Sequence, residues 1–186
     1  MSRPARSSWQ RLRAMPAVVT LPMLVRETGW SRAMASVYVA RWVTAGLIVR
    51  AGPRAGIYYN LSAQGAVTPA MRIEAVLSKY PSAIAMGPSV LHAEGWISQI
   101  PQRIHVAVLT RPSLAGLDGF EIHRRPRAWF VQAAAARAAD CPELYGLNAV
   151  PPLFALRDMY ASPECWHPDP DDLDLPDDVQ DLFDQT

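Results

Sequence analysis

Apolar positions recur with helical spacing through the first third of the chain, then switch to short strand-like runs. A short helix is predicted around Trp9–Ala14, after a Ser, Pro and Arg-containing arm at residues 2–8. Leu21, Leu24 and Val25 form the apolar stripe of the next helix. Thr20 stands where an N-cap oxygen is needed, Pro22 falls in the first turn, and Gly29 ends the helix. Trp30 is expected to plug the turn. Ser31 caps a third helix that runs to about Ala45 and stops at Gly46. Within it Ala35, Tyr38, Val39 and Trp42 fall at i, i+3, i+4 and i+7 and make one buried face. The opposite face carries Arg32, Ala33, Ser36, Val37, Ala40 and Arg41, a small, weakly apolar and basic set. Leu47–Arg50 and Ile57–Leu61 read as strands joined by the Gly- and Pro-containing turn at 51–56. Helix, helix, capped helix and hairpin in that order predict a winged helix-turn-helix over residues 8–62.

Residues 62–69 read as a linker. Beyond it, Ala70–Lys79 is helical in pattern and Pro81 ends the run. Ala83–Gly95 reads either as one apolar helix or as a strand–helix pair broken near Gly87 and Pro88. His105–Leu109 and Phe120–Arg124 are strand signals, with Gly116–Gly119 as the turn between them. Trp129–Ala139 is an alanine-rich helix. The expected fold class is α+β: the N-terminal winged helix, a small α/β domain over 70–162, and an acidic tail over 163–186.

Charge sharpens this picture. The chain of 186 residues is 50% hydrophobic with a net charge of +1, enough apolar content for a real core. The near-neutral total hides an asymmetry: residues 1–60 carry a net +8, residues 61–127 +3, and residues 128–186 −10. A cationic head of this kind suggests a polyanionic partner. A helix with a small, basic outer face suits the major groove of double-stranded DNA, where bulky side chains clash. Arg32 and Ser36 are placed to reach base edges or phosphates, and Ala33 or Val37 to meet a thymine methyl. Arg41, Arg50 and the turn residue Arg54 are expected against phosphates, which position without reading sequence. Ala40 lies on the same face. The other reading of this surface is a protein-interaction module whose basic face binds an acidic partner without DNA.

The stretch from Val19 through Tyr59, with Tyr80-Pro-Ser-Ala83, Ser89-Val-Leu-His-Ala-Glu-Gly-Trp-Ile97 and Ile100-Pro-Gln-Arg-Ile-His-Val-Ala-Val108, resembles the AbiEi-type antitoxins of type IV toxin–antitoxin systems. Phe154-Ala-Leu-Arg-Asp-Met-Tyr160 resembles that family's Ala-Leu-x-Asp helix. The resemblance runs from about residue 18 to 162 and rests on core and turn positions. The Gly52–Gly56 turn, with two glycines and a proline, departs from the family pattern, and the Asp-rich tail matches nothing in it. What the resemblance implies is a winged helix followed by an α/β antitoxin domain. It also implies a transcriptional repressor of its own operon that counteracts a nucleotidyltransferase-like toxin.

Other chemistry is thinner. Asp118, Glu121 and His123 outline a nuclease-like strand, but His123 stands where that site needs lysine, and the single lysine, Lys79, is remote in sequence. Cys141, Cys165 and His167 lack the paired spacing of structural zinc sites. The run Asp169–Asp174 lacks the glycine of a calcium loop, and Gln180 stands where its final acid belongs. No cofactor, no metal and no enzymatic activity are therefore expected. Two cysteines are too few for a disulfide framework, and no apolar run is long enough for a membrane span, so the expected location is the cytoplasm. The tail from Pro163 carries nine acids around Leu173, Leu175, Val179, Leu182 and Phe183. It is expected to be largely disordered or loosely docked, or to fold over the basic head. A repressor of this kind commonly works as a dimer on an inverted repeat.

Overall fold

The computed structural model describes residues 7–62, 65–109, 116–162, 166–177 and 179–180. It is a mixed α+β protein with two sheets, and the chain divides into two compact units. The first comprises residues up to Lys79 together with Leu114–Asp118; the second comprises Tyr80–Ser113 and Gly119–Thr186.

In the first unit the order is α1 (Ser8–Arg13), β1 (Val18–Thr20), α2 (Leu21–Thr28), α3 (Arg32–Thr44), β2 (Ile48–Arg50), β3 (Ile57–Asn60) and α4 (Pro69–Lys79). Each helix begins where its local chemistry dictates. Ser7 and Gln10 form a reciprocal capping box on α1, while Thr20 and Ser31 accept the amides of Met23 and Met34 at 3.3 and 3.2 Å. Helix α2 closes on Gly29 at φ 70°. Helix α3 ends in a Schellman arrangement, with Gly46 N–H on the Val43 carbonyl and Leu47 N–H on that of Trp42.

Strand β1 corrects the expected order. The sequence reading assigns no strand between its first two helices, yet Val18–Thr20 pairs antiparallel with β3 and completes a three-stranded sheet in the order β1-β3-β2. Leu12, Val19, Leu24, Ala35, Val39, Trp42 and Ile48 form the core beneath it. Buried Asn60 ties α1 to β3. Its amide nitrogen donates to the carbonyls of Leu12, Met15 and Pro16 at 2.9–3.3 Å, and its oxygen accepts from Ser62. Helix α4, with which the sequence reading opens the second domain, packs on β1 and β3 in this unit.

The second unit holds β4 (Ile84–Ala85), α5 (Pro88–Ala93), β5 (Ile104–Val108), β6 (Phe120–Arg124), α6 (Arg127–Ala135), β7 (Ala139–Cys141), β8 (Leu147–Ala149) and α7 (Pro152–Ala161). Its five strands run in the order β6-β5-β4-β8-β7. Residues 83–95 are thus a strand–helix pair, and α6 stops short of Ala139, which begins β7. The turn expected at 116–119 is a second correction. Strands β5 and β6 pair in parallel, from Ile104 with Phe120 to Val108 with Arg124, so a reversal cannot join them. Residues 116–118 instead lie against the first unit's 51–56 turn: Asp118 N–H donates to the Ala51 carbonyl at 2.8 Å.

The described part of the tail docks on this second unit. Tyr160 Oη donates to the Pro168 carbonyl at 2.7 Å and its ring stacks on His167. Asp174 N–H donates to the Trp96 carbonyl, and a helical turn opens at Pro176. Leu182 and Phe183 lie outside the described residues, as do Cys165, residues 2–6 of the arm and part of the linker. No helix among the described residues is long and apolar enough to cross a membrane.

Candidate nucleic-acid interface

Helix α3 is held by an aromatic stack that its own sequence supplies. Trp30, in the turn after Gly29, lies 4.2 Å from Tyr38 with the rings nearly parallel, and Trp42 tilts against both. Thr28 locks the turn by donating to the Leu24 carbonyl at 2.6 Å and accepting Trp30 N–H at 3.2 Å. Arg11 crosses from α1, donating to the Thr28 carbonyl and standing 5.6 Å over the Trp30 ring. Ala35, Val39 and Trp42 are buried, and Tyr38 is half-buried. One side of α3 is therefore fixed to the body of the unit.

The other side is open. Arg32, Ala33, Ser36, Val37, Ala40 and Arg41 are all exposed, so the tertiary structure brings the six together on one outward face of α3. Their arrangement follows from helical geometry. At about 100° per residue, Ala33, Ser36, Val37 and Ala40 cluster around the middle of that face. Arg32 and Arg41, nine positions apart, fall about 180° apart on its two edges. The Arg41 guanidinium stands 5.6 Å over the Tyr38 ring, which restrains its stem against the aromatic stack.

Two hydroxyls on this side of α3 turn toward the helix itself. Ser36 Oγ donates back to the Arg32 carbonyl at 2.9 Å, and Thr44 Oγ1 to that of Ala40 at 3.1 Å. Both hydroxyl protons are thus committed to the helix, leaving acceptors outward. Exposed Met34, at 47% exposure, flanks the face and was not singled out from sequence. Met34 sits beside the Arg41 edge, a placement readable from the helical period alone.

Arg50 is exposed at the end of β2, and Arg54 is exposed in the 51–56 turn with φ 57°, a left-handed conformation uncommon for arginine. Only part of that turn is free. Ala51 and Gly52 are buried beneath residues 116–118, so the solvent-facing residues are Pro53, Arg54 and Gly56. The electrostatics of the surface are simple in sequence: no acid occurs between Glu27 and Glu74, a span holding Arg32, Arg41, Arg50 and Arg54. Asp118 is the acid brought to the base of the turn by its amide bond to Ala51.

The catalytic and metal alternatives find other partners. Glu121 pairs with Arg103 at 3.5 Å, and His105 Nδ1 hydrogen-bonds with His123 Nε2 across β5 and β6 at 3.1 Å. Burial first, and then the neighbouring charge (His123 for His105, Arg125 for His123), holds both imidazoles below their usual pKa. Cys141 is buried with its Sγ donating to Glu143, and burial pushes the thiol up. Among the described residues no three His, Cys, Asp or Glu side chains converge in a way that could hold a metal.

No family model and no curated protein matches the chain. Among solved structures the chain is similar to the RV2827C protein from Mycobacterium tuberculosis, with a TM-score of 0.58 at 19% sequence identity. The match covers 82% of this chain and 60% of that one, so this chain spans less than two thirds of its neighbour's length. The likeness is one of α+β fold.

Proposed function

We propose that this chain is a sequence-specific DNA-binding transcriptional autorepressor whose N-terminal unit acts as a winged helix-turn-helix. In this reading α2 and α3 are the helix-turn-helix, α3 enters the major groove, and the β2–β3 hairpin with Arg54 is the wing. The observation that carries it is the outward face of α3: small side chains at its centre, an arginine on each edge, and a capped N-terminus free of acids. Small central residues let the helix seat deeply, while edge cations meet the phosphate walls. Arg32, Arg41, Arg50 and Arg54 neutralise four phosphates, which predicts a log–log salt slope of about −3.6. The resemblance to AbiEi-type antitoxins extends this to an antitoxin of a type IV toxin–antitoxin system, non-enzymatic, cytoplasmic, acting as a dimer on an inverted repeat and opposing a nucleotidyltransferase-like toxin. The test is footprinting on the DNA upstream of its own gene. Arg32→Ala and Arg41→Ala should each weaken binding and flatten the salt slope by about one. An unchanged slope in both variants rejects the mode.

A second reading draws on Met34 and Val37, 47% and 50% exposed on α3. The same face then docks an acidic protein through an apolar centre and basic edges. It predicts salt-sensitive protein binding with no footprint.

A further inference from the structure

The outward face of α3 has an unusual division of labour. Its centre is Ala33, Ser36, Val37, Ala40 and Thr44, and the only two hydroxyls there donate to the helix's own carbonyls. As placed, neither hydroxyl turns its hydrogen outward. Guanine presents two acceptors to the major groove, O6 and N7, and is read by donors. Such donors are present only on the edges, as Arg32 and Arg41, about 180° from each other around the helix. Thymine presents a methyl group, which an apolar surface reads by burying it.

We infer, on the footing of the DNA-binding reading above, that α3 recognises its operator by packing Ala33, Val37 and Ala40 against thymine methyl groups. Arg32 and Arg41 meanwhile grip the two phosphate walls. The occupant of this apolar strip is duplex DNA because cationic edges complement the walls of a groove. From Ala33 to Ala40 the helix advances about 10 Å, close to three base steps at about 3.4 Å each. The central contact is therefore a run of three to four A·T pairs with thymines facing the helix.

Replacing thymine by deoxyuridine removes the methyl and leaves every hydrogen-bonding group in place. The experiment selects binding sites for the full chain from a random duplex library, then substitutes deoxyuridine at each thymine of the best site in turn. Loss of about fourfold in affinity at two or more thymines within one four-base-pair run is expected, about the effect of exposing one buried methyl-sized group. The salt slope should not change, since no phosphate contact is lost. In Val37→Ala, checked for native circular dichroism, the deoxyuridine penalty should vanish at one of those positions and persist at the others. A selected site indifferent to every such replacement, or one with guanines at its centre, overturns the inference while leaving DNA binding intact. Failure to retain any duplex even at low salt, or retention only of an acidic protein, overturns both.

Discussion

Replacing Asn60 by aspartate isolates what a single buried amide does for the first unit. Asn60 is 1% exposed, and its nitrogen serves three carbonyls at the end of α1 and the approach to β1. Aspartate keeps the shape and the acceptor oxygen that Ser62 uses, but it exchanges two N–H donors for a carboxylate oxygen aimed at those carbonyls. Two lost hydrogen bonds at about 1–1.5 kcal/mol each, with an unpaired buried charge added, give a loss of at least about 3 kcal/mol. For a unit of this size that lowers the melting temperature by about 12 °C or more. The sign of the pH dependence follows from the same geometry. Burial against carbonyls makes the new carboxyl hold its proton more tightly folded than unfolded. The penalty is thus full at neutral pH and shrinks as pH falls through the raised folded value toward the unfolded value of about 3.9. Urea and thermal unfolding, followed by the near-ultraviolet signal of the Trp30–Tyr38–Trp42 stack, measure it at about pH 7 and about pH 4. A loss below about 1 kcal/mol, or one equal at both pH values, refutes the assignment.

Three further outcomes are expected. At Gly52 an added Cβ would run into the Gly116 carbonyl and the Leu117 backbone, whereas at Gly46 nothing lies within 4 Å and the only obstacle is φ 67°. In urea unfolding Gly52→Ala should cost about 1–3 kcal/mol, and Gly46→Ala about 1 kcal/mol. Asp158 takes Arg125 through one oxygen at 2.9 and 3.2 Å and Trp129 Nε1 through the other at 2.8 Å. With the pair only 14% and 12% exposed, Asp158→Ala should destabilise by about 3–5 kcal/mol, and Asp158→Asn by less because the tryptophan bond survives. The His105–His123 pair sets a pH window. Both imidazoles are depressed below 6.5 in the fold, so the unfolded chain takes up protons first and stability of the second unit falls as pH drops below that value. The loss levels off once pH has passed below the folded values. Arg103 and Glu121 beside the pair, and Arg125 with Asp158, are the charged groups that face it. His123→Gln should flatten the fall in a chemical-denaturation series across pH.

What the chain determines by itself is what neighbours within one or two turns settle. Thr20, Gly29, Ser31 and Gly46 bound α2 and α3 because caps act on amides and carbonyls a few residues away. The 3.6-residue period of Ala35, Tyr38, Val39 and Trp42 likewise decides which face of α3 is left outward, and with it the six residues of the candidate interface. What tertiary structure alone decided is everything that depends on a partner remote in sequence. Strands of three residues such as β1, β7 and β8 are too short to carry a period, and an alternating strand looks the same whether its neighbour runs parallel or antiparallel, which is how the β5–β6 connection escaped. The same holds for Asn60 beneath α1, for residues 116–118 over Gly52, and for His123 against His105. Each is an ordinary residue in its local window, and only the folded chain supplies the group that makes its chemistry specific.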